Sequence, residues 1–349
     1  MRTVVIGLGW VAREVWLPRL LGHAKFDVVA AVEPDPRAAA RAAGLLGQIP
    51  VLSRHTEVDI EQVDLAFVLT PNHTHGALGE WFLRRDCSVF LEKPTSPDRG
   101  QLELLRTAGR QGRGRLVLSA AARHRTDVAA LRRLVAEGRI GTPRLAEASW
   151  VRARGIPGSG WFTHRATAGG GVLLDLGWHV IDVVQELWGR SPVRSAAAVT
   201  GADFLGRRGW DAGWRGDAGD TAAEPDVEDQ LTALVTTDAY ALQLRLAWAS
   251  HEEVDVTSIA LHGSEGSASL RTTFGFSPLR VPEPALVLKQ NSTVERVPLD
   301  APEVGAEYDT QLDAVVGALE RPDTTQQSLA DATGALAVVE ACYHAARSR

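Results

Sequence analysis

Along the first third of the chain, short unbroken apolar runs alternate with stretches of helical period. The runs are Thr3–Leu8, Phe26–Val32, Asp64–Leu69, Ser88–Leu91 and Arg115–Ser119. The first three close on turn formers: Gly7 with Gly9, then Glu33-Pro34-Asp35-Pro36, then Thr70-Pro71-Asn72. Between the runs, Thr74–Arg85 and Pro97–Gln111 carry helical patterns. Unbroken apolar strands separated by helices predict a parallel sheet covered on both faces.

The pattern changes after about residue 120. Asp127–Glu137 reads as a helix stopped by Gly138, and Gly169–Trp188 as a glycine-led helix. From Val193 to about Val297 the chain reads as strands joined by turns. Val227–Thr236, Tyr240–Ser250 and Val254–His262 are the clearest, with Gly263-Ser264-Glu265-Gly266 as a turn. This predicts a mostly antiparallel sheet. Helical patterns return at Glu303–Leu319 and Ser328–Ala346, with Pro322 in the break. The fold class is therefore α/β in two domains, 1–120 and 121–349, with the helix at 328–346 expected to pack back towards the first.

Composition sharpens this in a few places. A chain of 349 residues is long for one core, which also favours two domains. The net charge of −6 argues against nucleic acid as the main partner, because phosphate binding needs surplus Lys and Arg. The most apolar long stretch, Val172–Trp188, carries Asp175, His179, Asp182 and Glu186, a load that a membrane span does not tolerate. Met1-Arg2 leads straight into Thr3-Val4-Val5-Ile6, so no signal peptide is expected. Cys87 and Cys342 have no metal-ligand neighbours in sequence. A cytoplasmic protein without disulfides or metal is expected, with Cys87 a small core residue.

The chemistry starts at Gly7-Leu8-Gly9-Trp10-Val11-Ala12, directly after the first strand. This is a G-x-G-x-x-G/A turn with Ala in third place. Gly7 permits the tight turn, Gly9 lets backbone approach a pyrophosphate, and Ala12 is small enough for helix–strand packing. Glu33 closes the second strand, where a carboxylate accepts from the ribose hydroxyls and repels a 2′-phosphate. NAD is thus expected over NADP.

Glu92-Lys93-Pro94 ends the fourth strand, on the edge where open α/β sheets bind ligands. An ammonium there can stabilise an alkoxide or polarise a carbonyl. In the glycine-led helix, Asp175 and His179 are i, i+4 neighbours. An imidazole can take a hydroxyl proton as hydride leaves carbon, and the carboxylate can orient it. Asp182 stands one turn further on. The glycines at 169–171 are expected to let a ligand approach the backbone.

In this order, Gly7-x-Gly9, Thr70-Pro71-Asn72-His73, Glu92-Lys93-Pro94 and Gly169-Gly170-Gly171 followed by Asp175 and His179 resemble the glucose–fructose oxidoreductase and inositol dehydrogenase family (Gfo/Idh/MocA). The resemblance runs nearly end to end and includes Val338-Val339-Glu340-Ala341-Cys342-Tyr343 in the closing helix. It implies an N-terminal Rossmann domain and a C-terminal α/β domain with an open antiparallel sheet that serves as a homodimer or homotetramer face. It implies Lys93, Asp175 and His179 as the catalytic three. It places Thr70, Asn72, His73, Glu92 and Pro94 along the nicotinamide cofactor, beside Gly7, Gly9, Trp10 and Val11 from the turn and Glu33 from the end of the second strand. Arg123 stands where a substrate- or cofactor-side Arg often occurs, although His124 and Thr126 replace the usual aromatic and Pro.

The expected reaction moves a hydride between nicotinamide and a secondary alcohol or ketone of a sugar, aminosugar or cyclitol. Trp161, Phe162, His164 and Arg165 precede the glycines and are expected to form a loop over the pocket, where flat aromatic faces suit a sugar ring. Between Asp211 and Asp229 stand Asp211, Asp217, Asp220, Glu224, Asp226, Glu228 and Asp229 against Arg215 alone. Such a segment is a solvated loop or, at a pocket's border, an attractor of cationic substrates. An NAD-dependent glycosidase with transient oxidation and a non-catalytic NAD-sensing protein are the alternatives.

Overall fold

A computed structural model describes residues 1–158, 160–216, 224–300 and 303–347. The chain divides into two compact units, Met1–Ser119 with Tyr308–Ala332, and Ala120–Glu307 with Thr333–Arg349.

The first unit is built on six parallel strands: β1 (Arg2–Ile6), β2 (Asp27–Val32), β3 (Val51–Leu52), β4 (Leu65–Val68), β5 (Ser88–Leu91) and β6 (Leu116–Leu118), in the order β3-β2-β1-β4-β5-β6. The two-residue edge strand β3 is too short to leave a pattern in the sequence. Register aligns the strand ends: Ile6 pairs with Val32 and Val68, Val68 with Leu91, and Leu91 with Leu118. The residues that follow, Gly7, Glu33, Leu69, Glu92 and Ser119, therefore stand along one carboxyl edge. The strand order reverses beside β1, which is where such sheets bind ligands.

A π-helical turn, Ala12–Trp16, follows β1 and runs into α1 (Leu17–Gly22). α2 (Pro36–Leu46) starts at a proline with Asp35 accepting from the Arg37 N–H, a standard start signal. α3 (His75–Leu83) lies against α4 (Arg99–Gln111) so closely that a Cβ on Gly79 would stand 2.4 Å from Leu105. α4 begins two residues later than the periodicity suggests, because Asp98 takes the cap and accepts from the Gln101 N–H. Phe67 and Phe90 stack at 4.4 Å in the core, with Trp16 edge-on to Phe90 at 4.8 Å.

The second unit begins with α5 (Thr126–Ala136) and holds an eight-stranded sheet, β14-β13-β12-β11-β7-β10-β9-β8. Its strands are β7 (Pro143–Val151), β8 (Val193–Gly201), β9 (Gln230–Thr237), β10 (Ala241–Ala247), β11 (Val256–Gly263), β12 (Ser267–Thr272), β13 (Ala285–Gln290) and β14 (Thr293–Val297). All neighbours pair antiparallel except β7 with β10. The sequence pattern does not reveal β7, because two of its inward positions, Ala146 and Ala148, are weakly apolar. One sheet face is buried under helices that include α5 and α7 (Trp178–Trp188); the other leaves Val199 and Leu234 half exposed.

The glycine-led helix starts later than expected. Gly169, at φ +84°, ends the short α6 (Arg165–Ala168), and regular winding resumes with a π-helical turn at Leu173–Gly177 before α7. The closing helices are α8 (Ala306–Glu320) and α9 (Thr324–Arg347). In the first unit their leading halves cover the β6 edge. Gln311 donates to the Leu118 carbonyl, the Leu116 N–H donates to Thr325, and Ser328 donates to the Leu116 carbonyl. Both thiols are free and buried, and burial pushes each up to about 12. Among the described residues no helix is long and apolar enough to cross a membrane.

Candidate active site

In the first unit the glycine turn has the shape that a dinucleotide requires. Gly7 sits at φ +90°, and a Cβ there would strike Thr70 at 2.8 Å and the Leu69 carbonyl at 2.9 Å. Gly9 is exposed and its Cβ position meets nothing within 4 Å, so backbone lies open to an incoming phosphate. Trp10 and Val11 are half-buried at the rim, and Ala12 is fully buried. The Glu33 carboxylate accepts from the Leu8 N–H at 2.8 Å and the Asp35 N–H at 2.9 Å, which locks it beside the turn.

Next along the edge, Thr70 bonds Thr74 at 2.6 Å, Asn72 is buried and His73 is exposed. Glu92 is buried and accepts from Trp16 Nε1 and Ser119 Oγ, each at 2.9 Å, and from the Lys93 N–H at 2.7 Å. Its carboxylate thus braces the strand end that presents half-buried Lys93. Pro94, joined to Lys93 by a cis peptide, is buried. His75, which no sequence pattern singles out, is also buried here, with each ring nitrogen 2.8 Å from a backbone carbonyl oxygen.

In the second unit Asp175 is buried inside the π-helical turn and accepts from Trp248 Nε1 at 2.8 Å. A π-helical turn displaces side chains from ordinary α register and often marks functional positions. His179, half-buried on α7, has its ring 5.5 Å from that of Trp150. Asp182 accepts the bidentate fork of Arg123, with Nε at 2.7 Å. The Arg123 guanidinium, expected to face substrate, is thereby engaged by α7.

The glycine run has a different cause from the ligand approach expected of it. A Cβ on Gly170 would stand 1.9 Å from Tyr343 Oη, and one on Gly171 1.9 Å from the Glu228 carbonyl. These glycines admit protein, not ligand. Glu228 Oε1 accepts from the Gly171 N–H at 3.0 Å, the Leu173 N–H at 3.1 Å and Tyr343 Oη at 2.8 Å. The carboxylate therefore caps the helix that carries Asp175 and His179. Burial pushes the Glu228 carboxyl above its usual range despite these donors, and burial with the adjacent carboxylate holds the Tyr343 phenol well above its own.

The acidic segment is accordingly not one solvated loop. Glu228 and Asp229 are buried, and Asp229 accepts three N–H groups, from Asp203, Phe204 and Leu205. Asp211, Glu224 and Asp226 are exposed, while Asp217 and Asp220 lie outside the described residues. Nearby, the rings of half-exposed Trp161 and Phe162 meet at 4.2 Å, with the Arg215 guanidinium 5.4 Å over Phe162. Exposed Arg165 reaches the Asp226 carbonyl at 3.5 Å and lies 5.7 Å over Tyr343. Among the described residues no group of three His, Cys, Asp or Glu is placed to hold a metal ion.

The parallel sheet, the open glycine turn and the acid after β2 define an α/β protein with a Rossmann-type dinucleotide-binding unit. Residues 1–117 match the model of the oxidoreductase family with NAD-binding Rossmann fold, and residues 128–269 that of the GFO/IDH/MocA C-terminal domain. The chain belongs to the Gfo/Idh/MocA oxidoreductase family.

Among its relatives is a putative UDP-kanosamine synthase oxidoreductase subunit of Amycolatopsis mediterranei (strain S699). The two are 42% identical over 354 residues, covering 100% of this chain and 96% of that one. Two solved structures share the fold. GenD2 from gentamicin A biosynthesis, in complex with NAD, has a TM-score of 0.76 at 22% identity, covering 100% of this chain and 95% of that one. KijD10, a 3-ketoreductase from Actinomadura kijaniata in complex with NADP and TDP-benzene, has a TM-score of 0.74 at 22% identity, covering 99% and 97%.

Proposed function

We propose that the chain is an NAD-dependent oxidoreductase that interconverts a secondary alcohol and a ketone on a sugar, with a nucleotide-linked aminosugar or its precursor as the first substrate class to test. The observation that carries the reading is Asp175, buried and held by Trp248, one turn before His179 on the same helical segment. The substrate class draws on the full-length relative named for UDP-kanosamine.

The first unit fits the cofactor: Gly9 leaves its cradle open, and Glu33 is fixed beside it. Gly7, Gly9, Trp10 and Val11 would hold the pyrophosphate, and Glu33 the adenosine ribose, where its charge opposes a 2′-phosphate. Thr70, Asn72, His73 and Pro94 would border the nicotinamide, which when bound supplies the hydride acceptor or donor. Lys93 stabilises the alkoxide oxygen. His179 takes the hydroxyl proton in the oxidative direction and returns it in reduction. Asp175 fixes the imidazole or the hydroxyl. Trp161, Phe162 and Arg165 serve the sugar. The open sheet face makes a homodimer or homotetramer, and the two free thiols suit the cytoplasm.

Turnover of UDP-glucose, a UDP-linked aminosugar, glucose and inositol with NAD and with NADP, read by cofactor absorbance, tests this. NAD should be preferred, and Lys93→Ala and His179→Ala should each lower turnover roughly 10²- to 10⁴-fold, as for lost acid–base groups. Near-normal turnover by both variants would defeat the assignment.

A further inference from the structure

His75 is fully buried at the start of α3, yet no step proposed above uses it. Its Nδ1 lies 2.8 Å from the Pro94 carbonyl oxygen and its Nε2 2.8 Å from the Thr70 carbonyl oxygen. A carbonyl oxygen only accepts. A neutral imidazole has one N–H and one bare lone pair, so it bonds one of these carbonyls and turns a lone pair on the other. Only the doubly protonated ring donates to both, and those bonds are charge-assisted.

We propose that His75 is a positioning residue that ties the turn after β4 to the turn after β5, with one bond when neutral and two when the ring gains its second proton. The proposal rests on the reading that these two turns border the nicotinamide cofactor. Thr70 begins the turn that carries Asn72 and His73. Pro94 follows Lys93 directly, so the ring sets the spacing of both turns.

The charged groups acting on the ring are the Glu92 carboxylate, which favours its charge, and the Lys93 ammonium, which opposes it. Burial is the largest influence and holds the pKa below the ordinary imidazole value, against the pull of the two carbonyls. Near neutrality the tie is therefore single, and it doubles as pH falls below the ordinary imidazole range. The proton comes from solvent and stays on the ring, so no other bond is made or broken.

The test reads the ring itself. Cofactor-free enzyme, ¹⁵N-labelled in its histidine rings, is followed by NMR across pH, with the His75 signal identified by its loss in His75→Gln. NAD⁺ affinity of both proteins is measured over the same range by quenching of tryptophan fluorescence. The expected result is a second ring proton on His75 below the ordinary imidazole range. NAD⁺ should then bind wild type several-fold more tightly below that midpoint than above it, an increment absent in His75→Gln.

One bare ring nitrogen at every pH at which the fold persists would overturn the proposal. So would the same pH-dependent increment in the variant. If the variant does not fold, neutron diffraction of wild-type crystals at two pH values locates the ring deuterons directly. Both short contacts persisting around a singly protonated ring would overturn the double tie. Wild type that binds neither NAD⁺ nor NADP⁺ at any pH would instead sink the cofactor reading, and with it the binding half of the proposal. The proton count, taken without cofactor, still decides the tie.

Discussion

Gly171 has no room for a side chain, because the Glu228 carbonyl lies 1.9 Å from where its Cβ would stand. Backbone cannot swing aside as a flexible side chain does. Gly171→Ala should therefore cost about 1–3 kcal/mol, the usual penalty of overpacking, seen as a lower urea midpoint with an unchanged slope. Glu228 itself makes stability pH-dependent. Its folded pKa is raised by burial, so its contribution is complete below the unfolded carboxylate value and is lost as pH rises through the folded value. Glu228→Gln keeps an acceptor for the Gly171 and Leu173 N–H groups. The fall in urea midpoint over that window should flatten in the variant; an identical slope against pH would show that another group is responsible.

At the scale of elements, α9 protects a strand edge. The Leu116 N–H of β6 is satisfied by Thr325 Oγ1 at 3.0 Å, and the Leu116 carbonyl by Ser328 at 2.8 Å. Thr325→Val preserves shape and removes the acceptor, leaving a buried N–H unpaired at a cost of about 1–3 kcal/mol. Faster hydrogen exchange at Leu116 than at its strand neighbours would check it. α5 is held differently. Arg125, almost fully buried, forks onto Asp127 and reaches Glu307 at 3.4 Å, while Thr272 donates to Asp127 at 2.9 Å. Helix, sheet and the start of α8 are thus joined within the second unit by a buried polar network, in which Glu307 Oε2 is left without a hydrogen-bond partner.

For the whole molecule, the open face of the eight-stranded sheet leaves Leu234 46% and Val199 52% exposed on adjacent strands. Water contact with such side chains favours association. Leu234→Asp with Val199→Asp should shift the mass measured by light scattering towards monomer while leaving far-ultraviolet circular dichroism unchanged. An unchanged mass would remove this face from the assembly. The substitutions lie on β9 and β8, and neither residue is given a catalytic role here.

What the sequence determined by itself was local. Runs of β-branched residues specified the parallel strands, because burial on both faces demands unbroken apolar character. Gly7 and Gly9 marked the phosphate turn, because only glycine tolerates φ +90° against Leu69 and Thr70 and leaves open backbone two residues on. Tertiary structure decided what depends on partners distant in the chain. It put Trp248 on Asp175, Tyr343 and Glu228 behind the glycines, Asp182 on Arg123 and His75 between two carbonyls. None of these leaves a periodic trace. β7 also escaped, since small alanines mark its inward face only weakly. Periodicity reports which face of a segment avoids water, but the identity of a buried polar group's partner depends on how distant segments fold together.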